Sequence, residues 1–492
     1  MSDPVPYRFE KTHDAAALRA RYGSLGPGQE TGQMVAVAGR IMLARPQGGV
    51  AFFQLRDWTG QVQLYGGAGF TARFEEFSRL SHGDWVGAEG EVVTTRRGEL
   101  SVKVGGWALL AAARRNFGDK WRGVSDPETR FRQRYVDLWA GGSEQTATGP
   151  RETLLLRSRM VSLMRRYLEE RGFVEVETPV LQPIPGGAAV NPFTTHHRAL
   201  DADLYLRVAP ELYLKRLVVG GMERVYEIGR VFRNEGLDAR HNPEFTMLEA
   251  YQAYADYHDM MSLIEGLVSY LAIALLGTTT VSYGGRQLEL AAPWPRASLV
   301  ELVEAETGLA LDVGMGRARL REAAASLGVP VEEGWGPGQI LFTIYEKSTE
   351  ASLWGPVHVC DYPEEVSPLA REHREKAGYV ERFESVVAGR ELANAYSELA
   401  DPAEQRARLV DQAALRAQGD EEAMPVDLDY LRALEYGLPP TGGLGLGVDR
   451  LAMLLTGAHH IREVIAFPAM RPEQGSPRDE RTGPGSETGP DS

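Results

Sequence analysis

Two runs, RVYEIGRVFRNEG at residues 224–236 and PEFTMLEAYQAYA at residues 243–255, constrain the fold of this 492-residue chain more than any other feature. They read as two antiparallel strands flanking a polar loop. Side chains two apart on a strand share a face, so Phe245, Met247, Glu249 and Tyr251 line up on the second run. Read as extended chain, Arg233 and Glu235 also point one way. A surface with arginine, carboxylates and aromatic rings suits a ligand bearing a phosphate, amines and a base. Ordinary cross-strand ion pairs would use the same residue types.

The length calls for two or three domains. With 43% hydrophobic and 25% charged residues, the composition is that of a soluble globular protein. Cys360 stands alone, which excludes an intrachain disulfide and any multi-cysteine metal site. No apolar run approaches ~18–20 residues, and MSDPVPYRFEKTH has no signal-peptide core. A cytoplasmic location without a membrane partner is expected. The net charge of −15 argues against nonspecific duplex binding. Residues 1–122, however, hold 16 Lys/Arg against 12 Asp/Glu, a net +4, which leaves −19 on the rest. A basic first domain on an acidic body permits a localised nucleic-acid contact, and equally an uneven surface without a partner.

From Met34 onward, MVAVAGRIML, VAFFQLRD, GQVQLYGG, DWVGAEGEVV and ELSVKVGGWALL read as five strands, with DWTG and RRGE as turns. One helical stretch, ARFEEFSRL, lies between the third and fourth. That pattern predicts a small barrel of the oligonucleotide-binding (OB) type over residues 1–122. A hinge follows over 123–152, with RFRQRYVDLWA as a connecting helix and GGSEQTATGP as a flexible joint. Helical spacing of Leu156, Met160, Leu163, Met164, Tyr167 and Leu168 opens the main domain, 153–472, and FVEVETPVL reads as a strand. The helices near 315–327 and 401–418 read as solvated faces. The tail, 473–492, has no aliphatic or aromatic side chain and is expected to be disordered.

TGGLGLGVDRLAMLL, at 441–455, is neither a dinucleotide fingerprint nor a P-loop by its spacing. Its glycines allow close backbone approach, and Arg450 at a helix start can meet a phosphate or be a surface arginine. In RFESVVAGRELANAYSELAD, Glu384 and Glu391 suit Mg²⁺, which takes one or two carboxylates beside substrate phosphates; surface acids would look the same. The pairs His196–His197 and His459–His460 lack any metal-site pattern.

With these segments in view the chain resembles the bacterial lysyl-tRNA synthetases of class II. The resemblance runs from about Tyr7 to Pro472. It rests on GFVEVETPVLQPIPGGAA, LRVAPELYLKRLVVGGMERVYEIGRVFRNEG, RHNPEFTMLEAYQAYADY and EYGLPPTGGLGLGVDRLAMLL. It implies an α+β multidomain chain: an OB-fold barrel that reads an anticodon, then a catalytic domain built on an antiparallel sheet flanked by helices.

Carried over residue by residue, the resemblance puts Arg233 on the α-phosphate and the amino-acid carboxylate. Glu235 and Phe245 go to the adenine, His241 near the outer phosphates, and Arg450 on the γ-phosphate. Glu384 and Glu391 become Mg²⁺ ligands, for up to three ions with ATP. Gly187, Glu211, Glu249, Tyr251, Asn394, Tyr396 and Glu398 form the amino-acid pocket with Arg233. Three carboxylates in a buried pocket demand a cationic ligand, which favours lysine over aspartate or asparagine.

Phe52 and Gln63 match positions that stack on and hydrogen-bond anticodon bases, and Arg40 is expected beside them. A core role for Phe52 stays open, because Phe53 alternates with it. ATP, L-lysine and tRNA(Lys) are the implied partners, within a homodimer formed around Pro179. Two other readings remain: a lysine-activating paralogue that modifies a protein, and a non-catalytic RNA-binding regulator. Departures from the family pattern fall on RNA contacts, as in QGGVAFF, where a lysine is usual.

Overall fold

The structure, a computed structural model, describes residues 5–115, 126–140, 149–188, 190–418 and 423–472. The joint at 141–148 and the tail at 473–492 lie outside the described residues. The chain forms two compact units, 1–123 and 124–492.

In the first unit, α1 (Ala15–Tyr22) precedes a closed barrel of β1 (Glu30–Gln47), β2 (Val50–Arg56), β3 (Gln61–Gly67), β4 (Trp85–Thr94) and β5 (Leu100–Ala111). The order around it is β1-β2-β3-β5-β4, and β3 pairs with β5 in parallel. Alternation decides what faces in: Ala51, Phe53, Leu55, Val62 and Leu64 fill the interior. Phe52 therefore faces out, and Phe53 is the core ring. The helical stretch expected between β3 and β4 is one turn, α2 (Phe74–Phe77), which drops Phe77 onto the core.

The second unit opens with α3 (Pro127–Arg132) and α4 (Arg134–Ala140), where a single connecting helix was expected. The break at Gln133 lets Arg130 and Arg134 both reach the buried Asp137, at 2.8 and 2.7 Å. α5 (Pro150–Glu169) follows and buries Met160, Met164, Tyr167 and Leu168. Of the strand expected in FVEVETPVL, only β6 (Val174–Glu175) joins the main sheet; beyond it the Thr178 N–H donates to the Glu227 carboxylate at 3.1 Å instead of to a ladder. β7 (Leu181–Gln182), β8 (Thr194–His197) and β9 (Ala202–Leu206) form a small side sheet.

After α6 (Glu211–Val219) come β10 (Arg224–Phe232), β11 (Glu244–Ala253) and α7 (Tyr257–Leu276). The hairpin β12 (Thr280–Tyr283) and β13 (Arg286–Glu289), then β14 (Arg296–Ser298), lead into α8 (Leu299–Thr307), α9 (Arg317–Ser326) and α10 (Pro337–Ser348). β15 (Val357–Pro363), β16 (Tyr379–Val386), β17 (Glu391–Ser397), α11 (Pro402–Ala417), α12 (Leu428–Glu435), β18 (Thr441–Gly447) and α13 (Val448–Thr456) complete the site-bearing part. The main sheet has eight strands in the order β14-β15-β16-β17-β18-β11-β10-β6, antiparallel except at its two edges.

One face of this sheet packs on α5, α7 and α13 in the largest core. α7 is long and apolar enough to pass for a membrane span by length and composition, a feature the sequence reading did not register because Asp259 and Glu265 interrupt it. Half of its most apolar stretch is buried, with Met260, Ile264, Leu267 and Leu271 in that core. α11 is also less solvated than expected: Arg408 is buried, pairs with Glu404 and donates to the Ala370 carbonyl at 2.6 Å.

Candidate active site

The other face of the sheet forms the wall of a cavity of about 480 Å³. On β11, Phe245, Met247, Glu249 and Tyr251 face the cavity, while Leu248 and Ala250 enter the core behind. β16 and β17 contribute Arg382, Glu384, Glu391, Asn394 and Tyr396. β18 lies between β11 and β17 and offers almost no side chains. A Cβ on Gly443 would sit 1.9 Å from Glu398 Oε1 and 2.6 Å from the Tyr251 ring. The glycines of TGGLGLG thus make room for the side chains of both neighbouring strands.

At one end three acids are buried: Glu211 is 5% exposed, Glu249 3% and Glu398 2%. Glu211 Oε1 accepts from Tyr396 Oη and Lys215 Nζ, each at 2.6 Å. Among the described residues the one hydrogen-bond partner of the Glu249 carboxylate is the Tyr251 hydroxyl, which donates at 3.1 Å. Burial, with Glu211 nearby, pushes the Glu249 carboxyl up to about 8. Gly187, at φ +91°, packs against Glu211; a Cβ there would come within 3.1 Å of the Glu211 Cβ. Glu398 departs from expectation: it does not border the cavity. It lies beside Gly443 in contact with Lys215, because its backbone N–H is tied to Thr441 O at 2.8 Å just beyond β17.

The other end is rich in arginine. Arg233 lies past the last residue of β10, so the extended reading of Arg233–Glu235 does not hold. The Glu235 N–H bonds back to Arg233 O at 2.9 Å in a tight turn. Both side chains still line the cavity, with Glu235 exposed. Among the described residues Arg233 makes no salt bridge. Its Nε is buried without a partner, and its guanidinium stands 5.2 Å from the Phe245 ring centre.

Arg450 donates through Nη1 to the Glu391 carboxylate at 2.9 Å and to the Glu391 carbonyl at 2.7 Å. Burial works against the Glu391 anion, but Arg450 beside it holds its pKa below the ordinary range. Glu384 accepts from Arg382 at 2.6 Å, yet burial still raises it. His241 lines the same end, exposed, with its ring bound to Asp238 at 2.8 Å. The two carboxylates on neighbouring strands, each giving one oxygen to a guanidinium, form an all-oxygen donor set that fits a hard divalent cation.

Sequence reasoning missed three contributors. Arg382 holds Asn394 at 3.0 Å and Glu384. Glu350 accepts the Glu391 N–H at 3.2 Å. Lys215 is wholly buried between Glu211 and Glu398. Two of them left a signal: Lys215 in its i,i+4 spacing from Glu211 on one helix, and Arg382 in its i,i+2 spacing from Glu384 on one strand.

In the barrel unit, Phe52 is half-buried and stacks on Tyr65 at 5.0 Å, 9° from parallel; Phe70 meets Tyr65 edge-on at 5.2 Å. Gln63 lies two residues from Tyr65 on the same outer face and donates to Ser101 at 2.9 Å. Arg40 is not beside them. It pairs in register with Arg56, four residues from Phe52 and so roughly 13 Å along β2. There it stacks on Trp85 at 4.7 Å.

The family model described as tRNA synthetases class II (D, K and N) matches residues 126–471. A second, described as an OB-fold nucleic acid binding domain, matches residues 35–110. The chain is 50% identical over 484 residues to a lysine–tRNA ligase of Gloeobacter violaceus, covering 96% of this chain and 95% of that one. It is 48% identical over 490 residues to that of Prochlorococcus marinus (strain MIT 9211), covering 96% of each. A third such ligase, from Moorella thermoacetica, is 48% identical over 477 residues, covering 96% and 95%.

Proposed function

The chain belongs to the class II lysine–tRNA ligases, and from that premise we propose which residues carry its reaction. It ligates L-lysine to tRNA(Lys) with ATP, through lysyl-adenylate, releasing pyrophosphate and then AMP. The lysine carboxylate attacks the α-phosphorus in line, and the terminal ribose hydroxyl of the tRNA then takes the lysyl group. The first nucleophile is already an anion, so no general base is required of the protein. Catalysis rests on positioning and on neutralising charge as it develops.

One observation carries the assignment: among the described residues, a half-buried guanidinium without a salt bridge, Arg233, shares a cavity with a buried carboxylate without one, Glu249. Arg233 binds the substrate carboxylate and the α-phosphate. Glu211, Glu249, Tyr251, Asn394 and Tyr396, over Gly187, hold the two ammonium groups, with Glu398 acting from beside Gly443. An acidic substrate side chain would need a spare cation at that end. Lys215, the cation there, is taken by Glu211 and Glu398.

Phe245 and Glu235 receive the adenine. Arg450, whose two bonds to Glu391 both use Nη1, and His241 serve the outer phosphates. Glu384 and Glu391 would hold Mg²⁺ with ATP, up to three ions in all. The metal would supply charge neutralisation on the phosphates.

Phe52 and Gln63 contact the anticodon of tRNA(Lys) on the outer barrel face, with Arg40 further along. A homodimer forms around Pro179, where Val174, Val180 and Leu181 are 50%, 39% and 47% exposed. The location is cytoplasmic. The test is lysine-dependent ATP–pyrophosphate exchange followed by tRNA charging. Exchange without charging of any tRNA would leave an amino-acid activator of another kind, and the absence of both would refute the assignment.

A further inference from the structure

The assignment above gives Lys215 no contact with a substrate, yet it is wholly buried beside the pocket, at 0% exposure. Its ammonium lies 2.6 Å from Glu211 Oε1 and in contact with Glu398. The other groups facing it are the Tyr396 ring on β17, 5.4 Å away, and the Tyr430 ring on α12, 5.9 Å away. Glu249 and Tyr251 stand on β11 beyond Glu211. Glu398 takes no well-aligned hydrogen bond among the described residues, so this ion pair is what holds it.

We propose that Lys215 sets the net charge of the amino-acid pocket, cancelling one of three buried carboxylates so that the remaining −2 matches a diamino acid. The proposal rests on the lysine reading of the pocket. Three uncompensated acids would face only two substrate ammonium groups, since the substrate carboxylate belongs to Arg233. A surplus buried anion is prohibitive, and one acid would take up a proton or turn away. With Lys215 in place the charges close once an arriving ammonium group draws the proton off Glu249, whose carboxyl burial pushes up to about 8 in the ligand-free chain. Burial opposes the lysine's own charge, but Glu211 and Glu398 raise its pKa well above the usual range; burial raises the Glu398 carboxyl as well, against the pull of Lys215. Lys215 is a positioning residue: it touches the acids and not the cavity.

The test is a charge-balance cycle on the full-length protein, read by ATP–pyrophosphate exchange with L-lysine. Lys215→Met should raise the KM for lysine about 30-fold or more, as expected for stranding a buried charge, with little change in the KM for ATP. Glu398→Gln should also raise it. The double variant Lys215→Met/Glu398→Gln restores −2 and should bind lysine better than either single variant.

A double variant whose loss equals or exceeds the product of the two single losses would overturn the proposal. So would a Lys215→Met variant that changes the two KM values equally. Thermal melts identify a variant that fails to fold, and Glu398→Gln against the double variant then still decides. A wild-type protein without lysine-dependent exchange would refute the functional reading itself and not the role of Lys215.

Discussion

The two ends of the cavity hold charge in opposite ways. At the arginine end Glu384 and Glu391 each have a guanidinium, Arg382 and Arg450, while Arg233, its Nε buried, makes no salt bridge among the described residues. At the acidic end, among the described residues, one cation, Lys215, is spread over Glu211 and Glu398, and Glu249 has a hydroxyl and no cation. One end is preorganised for phosphate, with Arg233 open to an anion. The other stays short of positive charge until a ligand arrives. Desolvated charges of this kind make ligand binding an electrostatic completion of the fold.

The contrast can be broken most severely at Arg233. Arg233→Ala should reduce lysine-dependent exchange by ~10²–10³ or more while circular dichroism stays native, by analogy with removing an oxyanion donor. Glu398→Gln should raise the KM for lysine roughly 30-fold and leave that for ATP nearly unchanged; equal effects would erase the distinction between the ends. Phe52→Ala in the barrel should weaken tRNA charging by ~1–3 kcal/mol, the worth of one stacked base, read as kcat/KM for tRNA.

The smallest effect is on stability. Glu249, ordinarily near 4.5, is raised to about 8 in the folded chain. Below pH 4.5 its carboxyl is protonated whether the chain is folded or not, and its contribution is complete. Between 4.5 and about 8 only the folded state keeps the proton, so stability falls as pH rises and the contribution is lost above about 8. Thermal melts of the ligand-free protein across that window should show the decline, and Glu249→Gln should flatten it.

The features legible in the sequence were those that depend on local period. Strand alternation separates Phe245, Met247, Glu249 and Tyr251 from Leu248 and Ala250, and it separates Phe52 from Phe53. What was not legible depends on chain reversal and distant convergence. Arg233 and Glu235 sit in a turn that no two-residue period reveals. Lys215 reads locally as one more helix lysine, and Glu398, 183 positions later, is what buries its charge. Glu350 reaches Glu391 from the end of α10, 41 positions away. The placing of Arg40 beside Phe52 failed because residue spacing carries no information on which end of a strand a neighbour pairs with.

The central claim is that the acidic end of this cavity selects a second ammonium group. Its most direct test is ATP–pyrophosphate exchange with L-lysine and, in parallel, with L-norleucine, which keeps the carbon chain and lacks the side-chain amine. The account predicts exchange with lysine and none above background with norleucine. Comparable rates with both would contradict it.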